Sequence, residues 1–356
     1  MVSTVHKFLT ITFLAVSIFI SGLTVDLAGA QDTALGTAAS RRSGDPLLSR
    51  YLRFGQLTTK DGLSSDNTRN VVQDKLGFMW FGTIGGLSRY DGVSVKVYRH
   101  DPDDANSLSH NIARALIVDQ RGVLWIGTWG GGLNRYDREK DAFIHYRHEP
   151  DNPRSLSHDI VRIVYEDRTG TIWVGTMRGL NKLDRDSGQF TRYQHDPGDP
   201  NSLSNNIIWS IIQDSRGALW VGTGNGLNRF DPDTERFVRY LADPDDPVSI
   251  SNNTVRSIYE DRSGNLWFGT EGGLDKLNPK RTQVTSYRHD ANDHQSLSHN
   301  IINSVVEDQE GRLWVGTWGG GLNRFDRDTE AFIRYRHNVA DPYSLSSDTI
   351  WHISEG

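Results

Sequence analysis

The chain has 356 residues, a formal net charge of -6 and no cysteine. With no basic stripe to neutralise phosphates, nucleic-acid binding is set aside, and without thiols neither disulfides nor thiolate metal sites can hold the fold. Thirty-five glycines and abundant aromatics beside three methionines point to short strands and many turns, not long helices. At the N-terminus Lys7 precedes an apolar run from Phe8 to Val25, and Ala28-Gly29-Ala30 follows before Gln31. A cationic start, an apolar core and an A-x-A site read as a secretory signal peptide over 1–30, cleaved after Ala30. An uncleaved membrane anchor is the competing reading, because the run approaches the ~20 residues a spanning helix needs. Residues 31–49 are small and polar and read as a flexible leader.

From residue 50 onward one phrase recurs. Trp80, Trp125, Trp173, Trp220, Trp267 and Trp314 are spaced by 45, 48, 47, 47 and 47 residues. Within one copy, Asp159 to Glu166 reads as a first strand. Asp167-x-x-Gly170 is a tight turn whose glycine can take positive φ. Ile172–Thr176, Leu180–Leu183 and Phe190–Tyr193 complete four antiparallel strands, and a long Asp/Pro/Asn/Ser loop leads on. Four short strands per 40–50 residues, repeated, describe the blades of an all-β propeller over 50–356. The recurring Trp, Gly and Leu are packing and turn residues on this reading. Tyr51–Phe54 matches a fourth strand, and Thr349–Ile353 matches a first strand. Six blades are therefore complete, and the incomplete seventh has its first and fourth strands only. The two missing strands correspond to 309–331 of the preceding repeat. Open sheet edges are normally avoided, so the chain reads as the front part of a longer polypeptide.

The phrase D-x-x-G-x-L-W-x-G-T-x-x-G-L-N-R-[YF]-D, preceded by S-L-S-x-N-x-[IV], resembles the two-component regulator propeller family across residues 51–356. That resemblance implies a periplasmic ligand-sensing domain, the input module of a histidine kinase or diguanylate cyclase, dimeric in the full-length sensor. It also implies a small-molecule or oligosaccharide ligand, no cofactor, and an output activity outside these residues. A propeller enzyme, either a lyase or glycan-active, and a purely structural, protein-binding propeller stay open as alternatives. No nucleophile–base pair or phosphate loop stands out, and the Asp-to-Gly spacing is one residue longer than in sialidase Asp-boxes.

A ligand site must be sought where the repeats differ. At one first-strand position stand Arg69, Arg114, Arg162, Trp209, Arg256, Asn303 and Trp351. First strands line a propeller's channel, so these side chains could ring its mouth, and four arginines there favour an anionic ligand. The bland alternative pairs each arginine with a loop aspartate. The turn between the second and third strands varies too, holding Ile84, Trp129, Met177, Arg178, Asn225, Glu271 and Trp318. Trp beside glycine there suits stacking on a sugar ring, or packing on the next blade. Arg69, Arg114, Arg162, Trp209, Arg256, Trp129, Arg178 and Trp318 form the candidate site. His110, His158 and His299 recur after Leu-Ser but alternate with Asn205 and Asn252, which argues against a metal, and the acidic loops lack the pattern of a calcium-binding EF-hand.

Overall fold

Each copy of the repeat folds as a four-stranded antiparallel meander. A computed structural model describes residues 52–246 and 249–355, together with the backbone of the strands Phe8–Phe13 and Ser17–Ser21. In the third blade the strands are Val161–Glu166, Ile172–Thr176, Gly179–Leu183 and Phe190–Tyr193, each paired with its chain neighbour. Only the first begins later than its sequence pattern suggests, because residues 159 and 160 are taken up by the incoming loop. Six such sheets are present among the described residues, with no α-helix. The protein is an all-β propeller with six four-stranded blades.

The turn after the first strand sets the geometry of every blade. Asp167 Oδ1 accepts the backbone N–H groups of Thr169 and Thr171 while Gly170 turns the chain at φ 84°. Oδ2 accepts the indole N–H of Trp173 at 2.8 Å. The same indole bond joins Asp74 to Trp80, Asp119 to Trp125, Asp214 to Trp220, Asp261 to Trp267 and Asp308 to Trp314. Each of these tryptophans is then buried against the next blade. Trp173, for example, meets Phe230 edge-on with ring centroids 5.2 Å apart, a geometry worth about 1 kcal/mol beyond area burial.

Blades approach closely because Gly175 leaves room. A Cβ there would lie 2.6 Å from Ile208 Cγ2 of the next first strand. Charged clips add to this packing. Arg185 of the third blade donates to Asp119 of the second and to Glu166, both at 2.6 Å, while Glu166 accepts the Gln120 N–H. Burial alone would push the Asp119 carboxyl up, but the indole, the Val123 amide and Arg185 hold it below the usual carboxylate range.

First strands lie side by side around the axis. Ile350–Glu355 takes a seventh place in that ring, between Ile302–Glu307 and Thr68–Gln73. In the sheet it pairs with the Phe8–Phe13 strand, which pairs with Ser17–Ser21. The expected Tyr51–Phe54 strand is not formed. Tyr51 lies outside the described residues, and Leu52–Phe54 has no strand pairing. Phe54 nevertheless packs on Tyr335, and its N–H donates to Tyr343 O. Phe143, Phe190, Phe237 and Phe332 make the matching bonds to Asn106, Arg154, Asn201 and Gln295 at the start of their fourth strands.

The Ser-Leu-Ser and Leu-Asn phrases bolt the long loop onto the blade. Ser157 N–H donates to Asn181 Oδ1, and Asn181 Nδ2 donates to Ser157 Oγ and Val174 O. Asn134, Asn228 and Asn323 repeat this arrangement. In the fifth blade the position holds Asp275, fully buried, which accepts from Ser251 N and Ser286 Oγ. Burial raises its pKa above the ordinary value, so its cost is absent below about pH 4 and grows as pH rises through the raised pKa. Asp275→Asn should therefore stabilise the protein at pH 7 by about 1–3 kcal/mol, with the gain vanishing at acid pH. Denaturant melts at pH 7 and pH 3.5 measure this; equal effects at both would contradict the assignment.

Candidate functional site

The second residue of each first strand stands at the channel end where the long loops and the second-to-third-strand turns converge. There the arginines and tryptophans interleave. The Arg69 guanidinium lies 4.1 Å from the Trp351 ring centre, and Trp351 meets Trp318 edge-on at 5.0 Å. Arg256 lies between Trp318 at 5.1 Å and Trp209 at 4.4 Å. Arg162 lies between Trp209 at 3.4 Å and Trp129 at 5.8 Å, and Arg114 faces the same Trp129 at 5.2 Å. Eight side chains from six first strands and two turns thus make one continuous arc.

Cation–π contact accounts for the alternation, since an indole face is the best neutral neighbour for a desolvated cation. It does not neutralise charge. Of the four arginines, Arg256 is the one with an ion pair among the described residues, to Glu271 at 2.9 Å. None of the four pairs with a loop aspartate, as the bland alternative required. Burial, then Arg69 and Arg256, lower the Arg114 pKa to about 10. Burial, then Arg114 and Arg256, lower that of Arg162 to about 9. Arg162 Nη1 contacts Met177 Sδ at 3.2 Å, and its Nε has no protein partner.

Below this arc runs a cavity of about 570 Å³, walled by Arg69, Arg114, Arg162, Trp209, Arg256 and Trp351 at one end. Asn70, Ser210 and Ser257 follow three of those residues in their strands and line the same cavity. Asn70 Oδ1, Ser210 Oγ, Ser257 Oγ and Trp351 Nε1 are buried without a protein partner. His352 lines the wall too, its pKa pushed down to about 4 by desolvation, so it is a neutral group at neutral pH.

Of the residues expected from sequence, Arg69, Arg114, Arg162, Trp209 and Arg256 come together in the wall, with Trp129 and Trp318 stacked on them. Trp318 is 42% exposed at the mouth. Arg178 does not join them. It is exposed, outside the cavity wall, because its neighbour Met177 turns inward to Arg162 instead. Asn303 donates to Ile350 O and so ties the seventh first strand to the sixth. Asn70, Ser210, Ser257, His352 and the Glu271 ion pair escaped sequence reasoning, although small polar residues inside otherwise apolar strands were the available signal. The His110, His158 and His299 imidazoles each accept, through Nδ1, the N–H two residues on. Asn205 and Asn252 do so through Oδ1, so the position asks for an acceptor and not a metal ligand.

The family model described as "Two component regulator propeller" matches residues 107–130, 155–178, 202–225, 249–272 and 296–319. Histidine kinase P4 of Formosa agariphila is 43% identical over 56 residues, 16% of this chain and 4% of that protein. The extracellular domain of the hybrid two component system BT3049 from B. thetaiotaomicron superposes with a TM-score of 0.69 at 28% identity, over 83% of this chain and 38% of that one. The extracellular domain of the one component system BT4673 of the same organism gives 0.63 at 28%, over 80% and 35%. This chain therefore spans little more than a third of either solved relative.

A buried guanidinium crowded by like charges costs stability that an apolar side chain of similar length does not. Arg162→Met should raise the melting temperature by a few degrees. A lower value in thermal unfolding would mean that stacking on Trp209 outweighs the repulsion.

Proposed function

This chain is a member of the two component regulator propeller family, and on that premise we propose that it is an exported sensor domain whose channel mouth binds an anionic small molecule or charged oligosaccharide. One observation carries the reading: four buried or half-buried arginines converge on one end of a cavity, and among the described residues the four have one ion pair, Arg256 with Glu271, the cavity's own carboxylate, Glu307, being held by Arg327. A ligand carboxylate, sulfate or phosphate would supply the missing counter-charge through forked hydrogen bonds, and tryptophan faces beside the arginines suit the flat side of a ring. Structural arginines at blade junctions look different in this protein, because Arg185 and Arg327 are each saturated by two carboxylates.

As an input module the domain would pass occupancy of the site to an output region of a longer protein, which accords with its spanning about a third of the two solved relatives. A seventh blade closed from both ends of the propeller belongs to the same proposal. The position of Ile350–Glu355 in the ring of first strands and the fourth-strand contacts of Phe54 support it. The signal-peptide reading of 1–30 and the extracellular origin of both relatives support periplasmic placement.

Two experiments test this. Calorimetry with sulfate and with glucuronate should show binding that weakens as NaCl is raised from 20 mM to 0.5 M, through screening on the scale of about 10 Å and less. The double variant Arg114→Ala/Arg162→Ala should lose at least ~10-fold in affinity, about 1.4 kcal/mol, without losing thermal stability. Unchanged binding in a variant that unfolds readily would mark the arginines as blade clips. Separately, N-terminal sequencing of exported protein should begin at Gln31; a cytoplasmic product retaining Met1 would contradict export.

A further inference from the structure

Between the fourth and fifth blades the propeller carries a second cavity, of about 530 Å³, remote in the fold from the channel and lined by Trp220, Tyr240, Phe268, Leu277 and Val284. Its origin lies in two residues. At the other blade junctions a phenylalanine at the start of a fourth strand meets the preceding blade's last tyrosine edge-on. Phe143 meets Tyr98 at 5.5 Å, Phe190 meets Tyr146 at 6.0 Å, Phe237 meets Tyr193 at 5.9 Å and Phe332 meets Tyr287 at 5.7 Å. Phe54 does the same to Tyr335 at 6.5 Å. At the fourth junction the corresponding residue is Val284, and the third-strand position that holds Phe230 or Phe325 in neighbouring blades holds Leu277. Where the neighbouring blades place two phenyl rings, this one places Val284 and Leu277, and the space is open.

Around that opening apolar side chains are exposed beside Arg239, Asp243, Asp246 and Ser249, which also line it. Val238, Tyr240 and Leu241 are 43%, 37% and 47% exposed, on and just beyond Arg236–Tyr240, the outermost strand of the fourth blade. Exposed apolar side chains continuous with an aromatic-lined hole mark an interaction surface. The outer edge of that strand is itself engaged, Phe237 N–H donating to Asn201 O and Arg239 Nε to Ser202 O, so recognition here rests on side chains. Arg281, whose Nε is buried without a protein partner, stands in the cavity wall.

From this we infer that the cleft receives an aromatic side chain, phenylalanine or tyrosine, carried on an extended segment of a partner protein that lies over Val238, Tyr240 and Leu241. The occupant's chemistry is given by the molecule itself: a phenyl ring placed edge-on to Tyr240 reproduces the contact made at five other junctions. Such an anchored ring in a desolvated pocket is the usual form of an interface hot spot. The assignment is independent of the channel site.

Two acetylated, amidated hexapeptides of β-prone sequence, identical except for a central Phe or Ala, test it by calorimetry. The Phe peptide should bind the full chain at least ~10-fold more tightly than the Ala peptide. Val284→Phe restores one of the two rings from within, and Leu277→Phe restores the other from the third strand. Each should raise the melting temperature and reduce Phe-peptide binding to the level of the Ala peptide. Arg114→Ala/Arg162→Ala should leave peptide binding unchanged. Equal affinity of the two peptides, absence of binding by both, or full Phe-peptide binding in the plugged variants would each overturn the inference and leave the cleft a packing gap.

Discussion

One hydrogen bond organises this protein: the carboxylate of a turn aspartate accepting the indole N–H of a tryptophan six residues on. Its two oxygens serve different purposes. Oδ1 closes the turn by taking backbone amides, and Oδ2 orients the largest side chain of the blade toward its neighbour. An indole buried without an acceptor would forfeit about 1–3 kcal/mol, so the turn and the blade interface cannot be satisfied separately. Local chain reversal and long-range packing are thereby one event, repeated six times.

That coupling is why so much of the fold was legible in the sequence. Asp, Gly and Trp at fixed offsets specify a turn, a positive φ and a buried ring, each by chemistry confined to a few residues. The strand limits of the third blade followed within two residues for the same reason. Where reading failed, non-local contacts decided. Leu52–Phe54 has the pattern of a fourth strand, but a strand needs a partner strand beside it, and pattern alone cannot provide one. Likewise Arg178 and Met177 are adjacent in one variable turn, and only the position of Arg162 on the same blade determines which of them faces inward.

The candidate site shows the reverse balance. Its arginines were visible as departures from the repeat, yet their stacking between tryptophans was not, because it joins residues in different blades and in different parts of the motif. A stack of this kind shares each ring between two cations, so Trp209 serves both Arg162 and Arg256. Substitutions around it will couple, and double-mutant cycles are the proper measure. The blade scaffold imposes nothing on these positions, since Asn303 fills one of them with a backbone bond. Recognition can therefore vary while the propeller stays the same.

The arginine clips between blades carry a direction. Arg138 reaches back from the second blade to Asp74 of the first, Arg185 from the third to the second, Arg281 from the fifth to the fourth and Arg327 from the sixth to the fifth. Asp308, in the sixth blade, is instead met by Arg312 of its own turn. Each of these arginines thus arises later in the chain than the carboxylate it neutralises, whereas the lysine pairs Lys96–Asp141, Lys182–Glu235 and Lys276–Glu330 run the other way. On a ribosome releasing about 5–20 residues each second, the second, third, fifth and sixth blades each find a waiting anionic socket on the blade made just before. The circle can then be laid down in sequence, one segment docking on its predecessor, without waiting for the last strand to be synthesised.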